Sequence, residues 1–317
     1  MKLFKLLVVT SGFSFGLFAF ADNGSKAIFG EDNRKDIFEI ADELKPLSSA
    51  LGTWVTPYYI EQRSESVSEL IFPVTGEHWG LCQGERFYEQ PTTEIACTGF
   101  LVAPDLLLTA GHCMVNVGEA RDRVTPQCSD FRWVFDYQMN SPASIDLKNH
   151  PNSSIAHCEK VIYAIHEERG SRKDYALIRL SAAMNERFVF PVAEKKVQVG
   201  DQVAMMGFPI GLPLKYSGDS EVLRLREGAE FFEASLDAAG GNSGSPVFNQ
   251  ERELVGILVR GNVDFVDTVD RCSQWNRCER NGQQCLDGDQ GKDYNAGMHV
   301  QLINEELKEL IRANSQL

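Results

Sequence analysis

Short apolar runs divided by turn signals set the pattern of this chain. Phe100-Leu101-Val102, Leu106-Leu107-Leu108-Thr109, Arg132-Trp133-Val134-Phe135 and Ala176-Leu177-Ile178 are bounded by Pro, Gly and polar residues. Runs of this length, rich in Val, Ile, Leu and Phe, predict β-strands. A second series begins near Val197 and continues through Gln202–Met206, Phe231–Ser235, Ser245–Phe248 and Leu254–Val259. Helical periodicity is weak near Ile37–Leu44. It is clear from Ile303 to Ala313, where Ile303, Leu307, Leu310 and Ile311 share one face. Two strand series closed by one helix predict an all-β fold of two six-stranded antiparallel β-barrels packed together, with a C-terminal α-helix. The division falls between Ala182 and Lys196, giving residues 28–185 to the first barrel and residues 186–317 to the second barrel and the helix.

The N-terminus obeys another rule. Lys2 and Lys5 precede an apolar stretch from Leu6 to Phe20, and Ala19-Phe20-Ala21 supplies a small-x-small cleavage pattern. Residues 1–21 are therefore predicted to be a cleaved signal peptide, with residues 22–27 a short propeptide or linker and the mature protein secreted or periplasmic. Beyond the leader no uninterrupted apolar run is long enough to span a bilayer, so no membrane contact is expected after cleavage.

Composition is that of an ordinary globular chain, 43% apolar and 24% charged over 317 residues, which excludes a disordered or fibrous protein. The 31 Lys and Arg against 45 Asp and Glu give a formal charge of −14. Losing Lys2 and Lys5 with no acid takes −14 to −16 in the mature chain. An acidic surface repels phosphate backbones, so no nucleic-acid partner is expected.

Export changes how the eight cysteines read, at Cys82, Cys97, Cys113, Cys128, Cys158, Cys272, Cys278 and Cys285. An even number in an exported chain favours disulfides. No C-x2-C pair is present, which argues against zinc. Residues 264–295 are polar, hold three of the cysteines and read as an inserted, disulfide-braced loop. Within them Asp287, Asp289 and Asp293 alternate as in a calcium loop but lack its bidentate glutamate, so a solvated acidic loop is expected.

Three segments carry chemistry. His112 follows an apolar strand in Leu107-Leu108-Thr109-Ala110-Gly111-His112-Cys113. Asp174 opens another in Asp174-Tyr175-Ala176-Leu177. Ser243 lies in a glycine-rich turn, Gly240-Gly241-Asn242-Ser243-Gly244-Ser245-Pro246-Val247. A serine hydroxyl is nearly inert until a base takes its proton, and neutral imidazole does so near neutral pH. The imidazole needs a carboxylate to fix its tautomer and to stabilise the imidazolium. Taken singly each residue reads as a structural His, a turn cap or a turn. The order His, Asp, Ser, at separations of 62 and 69 residues, lifts them together.

On these motifs the chain resembles trypsin-like serine peptidases of the chymotrypsin superfamily, in particular the bacterial branch related to glutamyl endopeptidase. The resemblance runs from about Ile28 to Ala313 and includes Gly207-Phe208-Pro209. It implies that His112 is the general base, Asp174 its orienting carboxylate and Ser243 the nucleophile, with backbone N–H groups of Gly241 and Ser243 forming the oxyanion hole. It also implies a Cys97–Cys113 disulfide, since Cys97 stands fifteen residues before His112 and Cys113 follows it. Peptide-bond hydrolysis through an acyl-enzyme is the implied reaction, on protein or peptide substrates, by a monomer, with no metal and no cofactor. Cys128–Cys158 is expected as a second bridge inside the first barrel. The pairing of Cys82, Cys272, Cys278 and Cys285 stays open.

Specificity rests on the pocket. Asp237, six positions before Ser243, stands where trypsin-like enzymes hold the carboxylate that binds substrate Arg or Lys, and Gly261 and Gly297 resemble the wall glycines. Cleavage after Arg or Lys is the expectation. The alternatives are cleavage after glutamate, although Leu258 and Ala238 replace that branch's ligands and leave His299 as a partial substitute, and a non-catalytic binding relative. Asn242 occupies the place of the aspartate that captures a freed N-terminus in trypsin, so that activation switch is expected to be missing.

Overall fold

The structure is a computed structural model that describes residues 27–315 except 95–96, 226–227, 229, 262, 281–283 and 287–296. The leader and the acidic loop 287–293 lie outside the described residues.

Both strand series form antiparallel sheets. In the first, eight strands follow the order Ile155–Ala156, Arg132–Phe135, Leu51–Val55, Thr98–Ala103, Leu106–Thr109, Asp174–Leu180, Cys158–His166 and Gly118–Arg123. Among the described residues no pairing joins its two edges, so this sheet is a half-barrel with more strands than the pattern suggested. In the second, Gln202–Gly207, Pro246–Phe248, Leu254–Arg260, Met298–Leu302, Phe231–Ala234 and Lys215–Leu225 run in order, and the last pairs back onto the first. That ring is the expected closed six-stranded barrel.

Alternation explains both cores. Successive side chains of a strand point to opposite faces. Val203, Met205, Phe232, Ala234, Leu258, Met298 and Val300 fill the inside of the closed barrel. Phe100, Leu107 and Ile178 of the first sheet share one apolar cluster with Met206, Phe208, Phe248 and Ile257 of the second. Removing that surface from water, at about 25 cal/mol per Å2, presses the two units together.

Two segments depart from the expected division. Residues 28–36, assigned by pattern to the first barrel, dock on the second unit instead: Lys35–Asp36 pairs with Lys215 and Tyr216, and Ile28–Phe29 runs parallel to Arg277–Cys278. The closing helix, Glu305–Asn314, lies over the first sheet. Its Ile311 and Leu307 join the shared cluster, Glu306 pairs with Lys173 at 2.7 Å, and Arg179 donates to the Asn314 carbonyl at 3.1 Å. Asn304 caps the helix by accepting from the Leu307 N–H at 2.9 Å. Near Ile37–Leu44 there is only a single 3-10 turn, Ile37–Glu39; Pro46 then opens a second, Lys45–Ala50.

All eight cysteines pair, as Cys82–Cys272, Cys97–Cys113, Cys128–Cys158 and Cys278–Cys285. The first closes a separation of 190 residues and fastens the inserted loop to the segment between the strands Leu51–Val55 and Thr98–Ala103 of the first sheet.

Candidate active site

His112 sits on a one-turn 3-10 segment, Gly111–Cys113, just after the strand Leu106–Thr109. That strand pairs with Asp174–Leu180, with Thr109 opposite Ala176, so Asp174 arrives beside the turn. The crossing is tight. A Cβ on Gly111 would lie 1.8 Å from the Ile165 carbonyl oxygen, so only glycine lets the backbone through. Asp174 is fully buried and accepts from the His112 backbone N–H at 2.9 Å through Oδ1. The imidazole Nδ1 lies 2.9 Å from Oδ2 and 3.1 Å from Oδ1. An Nδ1–H donated to the carboxylate leaves Nε2 as the basic nitrogen.

Ser243 comes from the second unit. Its turn is held by Asn242 N to Ala239 O at 3.0 Å, Ser245 N to Asn242 O at 2.9 Å, and Ala239 N to the Asn242 side-chain oxygen at 3.0 Å. Asn242 thus serves as an internal turn brace. Gly244 has φ of +90°, and a Cβ there would lie 2.0 Å from the Thr98 carbonyl oxygen. The turn is gripped from the first sheet: Thr98 N donates to Ser243 O at 2.8 Å, and Thr98 Oγ1 donates to Gly241 O at 2.8 Å. Thr98 Oγ1 also accepts from Phe208 N at 3.2 Å, which explains the Gly-Phe-Pro motif at this spot. The Cys113 sulfur, next to His112, lies 3.9 Å from the Ser243 carbonyl oxygen. The fold therefore draws the His112 turn, Asp174 and the Ser243 turn to one seam between the two units. Cys97, Cys113 and His112 cluster like metal ligands, but the two sulfurs are bonded to each other.

A family model described as a trypsin-like peptidase domain matches residues 97–257, just over half of the chain. The chain belongs to the trypsin-like peptidase family. It is 25% identical over 176 residues to glutamyl endopeptidase of Staphylococcus aureus strain MW2, covering 53% of this chain and 48% of that protein. The corresponding protein of strain MRSA252 is 24% identical over 177 residues. The chain thus spans about half the length of the curated relatives it matches. Among solved structures, a Glu endopeptidase in complex with MPD aligns over 92% of this chain and 100% of that one, at 14% identity and a TM-score of 0.49.

Burial alone would push the Asp174 carboxyl up; the His112 imidazole and then the Arg260 guanidinium outweigh it and hold the group well below the usual carboxylate range. Arg260 Nη2 lies 2.9 Å from Asp174 Oδ2, and Gln301 accepts from the Asp174 N–H at 3.0 Å. The carboxylate is gripped from both units. His166, at the end of the strand Cys158–His166, stands with its ring 5.6 Å from that of His112. Nothing in the local pattern singled out Thr98, Arg260 or Gln301, because each acts on a residue distant in sequence.

The pocket residues fare differently. Asp237 is fully buried, and its two oxygens accept from the backbone N–H of Phe29 at 2.7 Å and of Asn33 at 2.8 Å. This corrects the expectation that its carboxylate faces a substrate cation; the protein's own N-terminal segment takes both oxygens. His299 is also fully buried, stacked on Phe231 at 4.3 Å, with Nε2 3.8 Å from a Glu233 oxygen. Gly297 has φ of +145° and packs against the Ala234 backbone, while Gly261 is buried beside Arg260.

Burial pushes the Asp237 carboxyl up to about 7, although the Asn33 and Phe29 N–H groups pull it down. A raised folded value means that the folded state holds a proton which the unfolded chain releases near 4. Its stabilising effect is full below the unfolded value and is lost as pH rises through about 7. Wild type should therefore lose about 1–3 kcal/mol relative to Asp237→Asn between about pH 4.5 and pH 8, measured by denaturant unfolding at both values. A difference between the two proteins that stays constant with pH would contradict this assignment.

Proposed function

We propose that the mature protein is a serine endopeptidase in which Ser243 attacks the peptide carbonyl, His112 takes and returns the proton, and Asp174 orients the imidazole. The support is the Asp174 carboxylate, buried and within 2.9 Å of His112 Nδ1, at the same seam as the Ser243 turn. Buried and bonded there, it favours the tautomer whose Nε2 can act as a base and steadies the imidazolium that follows. Backbone N–H groups of Gly241 and Ser243 would stabilise the oxyanion; losing one such donor raises the barrier by roughly 3–4 kcal/mol. The chain's own residues supply the whole cycle: acylation of Ser243 releases the amine, and water activated by His112 then frees the acid. A leader removed at residue 21 and export to an oxidising compartment accompany this reading, supported by the four disulfides. No helix among the described residues is long and apolar enough to cross a membrane.

For side-chain preference, one observation favours cleavage after glutamate over cleavage after Arg or Lys. The Asp237 carboxylate that would bind a substrate cation already accepts two backbone N–H groups, and an Arg/Lys pocket would need residues 27–36 to withdraw. The curated relatives named above are glutamyl endopeptidases. The test is a peptide-library cleavage profile of the purified mature protein, run beside labelling with a serine-directed fluorophosphonate. The expected result is labelling at Ser243 and cleavage after acidic residues. Cleavage confined to Arg and Lys would reject the preference, and absence of both labelling and cleavage would reject the peptidase reading in favour of a binding protein.

A further inference from the structure

The strand Leu254–Arg260 is buried along its whole length and ends in a guanidinium. A cation in that position is costly unless paired and hydrogen-bonded. A register shift between Leu258 and Arg260 explains where it goes, because it turns Arg260 away from the face that Leu258 occupies. Leu258 and Val300 point into the barrel, whereas Arg260 lies opposite His299, and His299 opposite Glu233, on the outer face. From that face Arg260 reaches across to the first sheet. Nη2 meets Asp174 Oδ2 at 2.9 Å and the Glu167 carbonyl at 3.3 Å, and Nη1 donates to the Arg172 carbonyl at 3.2 Å. It therefore ties down both the carboxylate and the loop that delivers it. His112 Nδ1 lies 2.9 Å from the same oxygen, Oδ2. One oxygen atom is shared by an imidazole from one unit and a guanidinium from the other.

We propose that Arg260 is a positioning residue for Asp174 and that its charge sets the lower pH limit of activity. This deepens the peptidase reading and rests on it. A carboxylate stabilises the imidazolium form of His112. A permanent cation on the far side of that carboxylate opposes the same form, so the imidazole stays neutral, and competent as a base, to lower pH than the His112–Asp174 pair alone would allow. The other groups facing the imidazole do not duplicate this role. His166, on the strand Cys158–His166, brings a second imidazole ring at 5.6 Å and not a permanent cation, and the Cys97–Cys113 bridge is uncharged. Lys173 is turned to Glu306, and Glu167 accepts from the Lys173 N–H at 3.2 Å.

The experiment compares wild type, Arg260→Lys and Arg260→Gln as mature full chains. Two readouts are taken: the pH profile of kcat/KM, and the NMR titration of the His112 ring, which needs no turnover. In Arg260→Gln the acid limb and the imidazole titration are expected to move up by about one pH unit, with kcat reduced about tenfold as Asp174 loses its brace. In Arg260→Lys, which keeps the charge, both should stay within about 0.3 unit of wild type while kcat falls. A purely structural role would lower kcat and leave both titrations in place, and that result overturns the proposal, as does an equal shift in the Lys variant. Should Arg260→Gln fail to fold, Arg260→Met supplies the uncharged variant: an upward displacement of about a unit beside undisplaced Arg260→Lys titrations supports the proposal, and undisplaced titrations in Arg260→Met reject it. A wild type that neither cleaves peptides nor labels with fluorophosphonate would sink the peptidase reading, and the ring titrations would still report on Arg260.

Discussion

Replacing Ser243 with alanine should lower kcat/KM by about five to six orders of magnitude and leave the fold intact. The reason lies in how the turn is built. The bonds that hold it use the Ser243 carbonyl, the Thr98 N–H and hydroxyl, and the Asn242 side chain, so deleting the Ser243 hydroxyl removes none of them. Unfolding free energy should change by less than about 1 kcal/mol, as for a small substitution that makes no cavity. Residues acting as one unit are strongly non-additive, so His112→Ala in the Ser243→Ala background should cost almost nothing further. Measured turnover with a good peptide, beside a denaturant curve for each variant, checks both halves. Substantial hydrolysis by the purified Ser243→Ala protein would end the nucleophile assignment.

Asp174→Asn should be damaging in two ways at once. The amide can turn an N–H toward His112 and favour the wrong tautomer, with an expected loss of about ten-thousandfold in kcat. It also leaves the Arg260 guanidinium, 7% exposed, without its anion. Breaking a buried pair from one side costs about 3–5 kcal/mol, so this variant should unfold at clearly lower denaturant than Ser243→Ala. Adding Arg260→Gln to Asp174→Asn removes the stranded charge and should recover part of the stability but none of the activity. If the double variant is less stable than Asp174→Asn, the buried-charge account is wrong.

Much of the candidate site was legible because its motifs are contiguous and each has a local job. Thr109-Ala110-Gly111-His112-Cys113 can be read as strand, tight crossing and disulfide anchor, and the structure uses Gly111 and Cys113 in those ways. The glycine-rich turn is equally local: its main bonds run between Ala239 and Ser245. Asp237 misled for the opposite reason. Its spacing from Ser243 fixes its place in the chain, but its partner Phe29 lies 208 residues away. No periodicity reports on such a contact. The first sheet likewise exceeds the expected six strands because Ile155–Ala156 and Gly118–Arg123 add at its edges, and a two-residue strand or a polar one carries little hydrophobic signal.

The order of residues alone determined the all-β character, the split into two strand series, the closing helix and the three side chains placed at the seam. Those properties follow from alternation, turn chemistry and short motifs, whose physics acts within a few residues. Tertiary structure decided the rest: the pairing of Cys82 with Cys272, the docking of residues 28–36 on the second unit, and the capture of Asp174 by Arg260. Each requires groups far apart in sequence to meet after water has been excluded between them, and a buried charge or N–H then takes whichever partner the packed surfaces bring within reach.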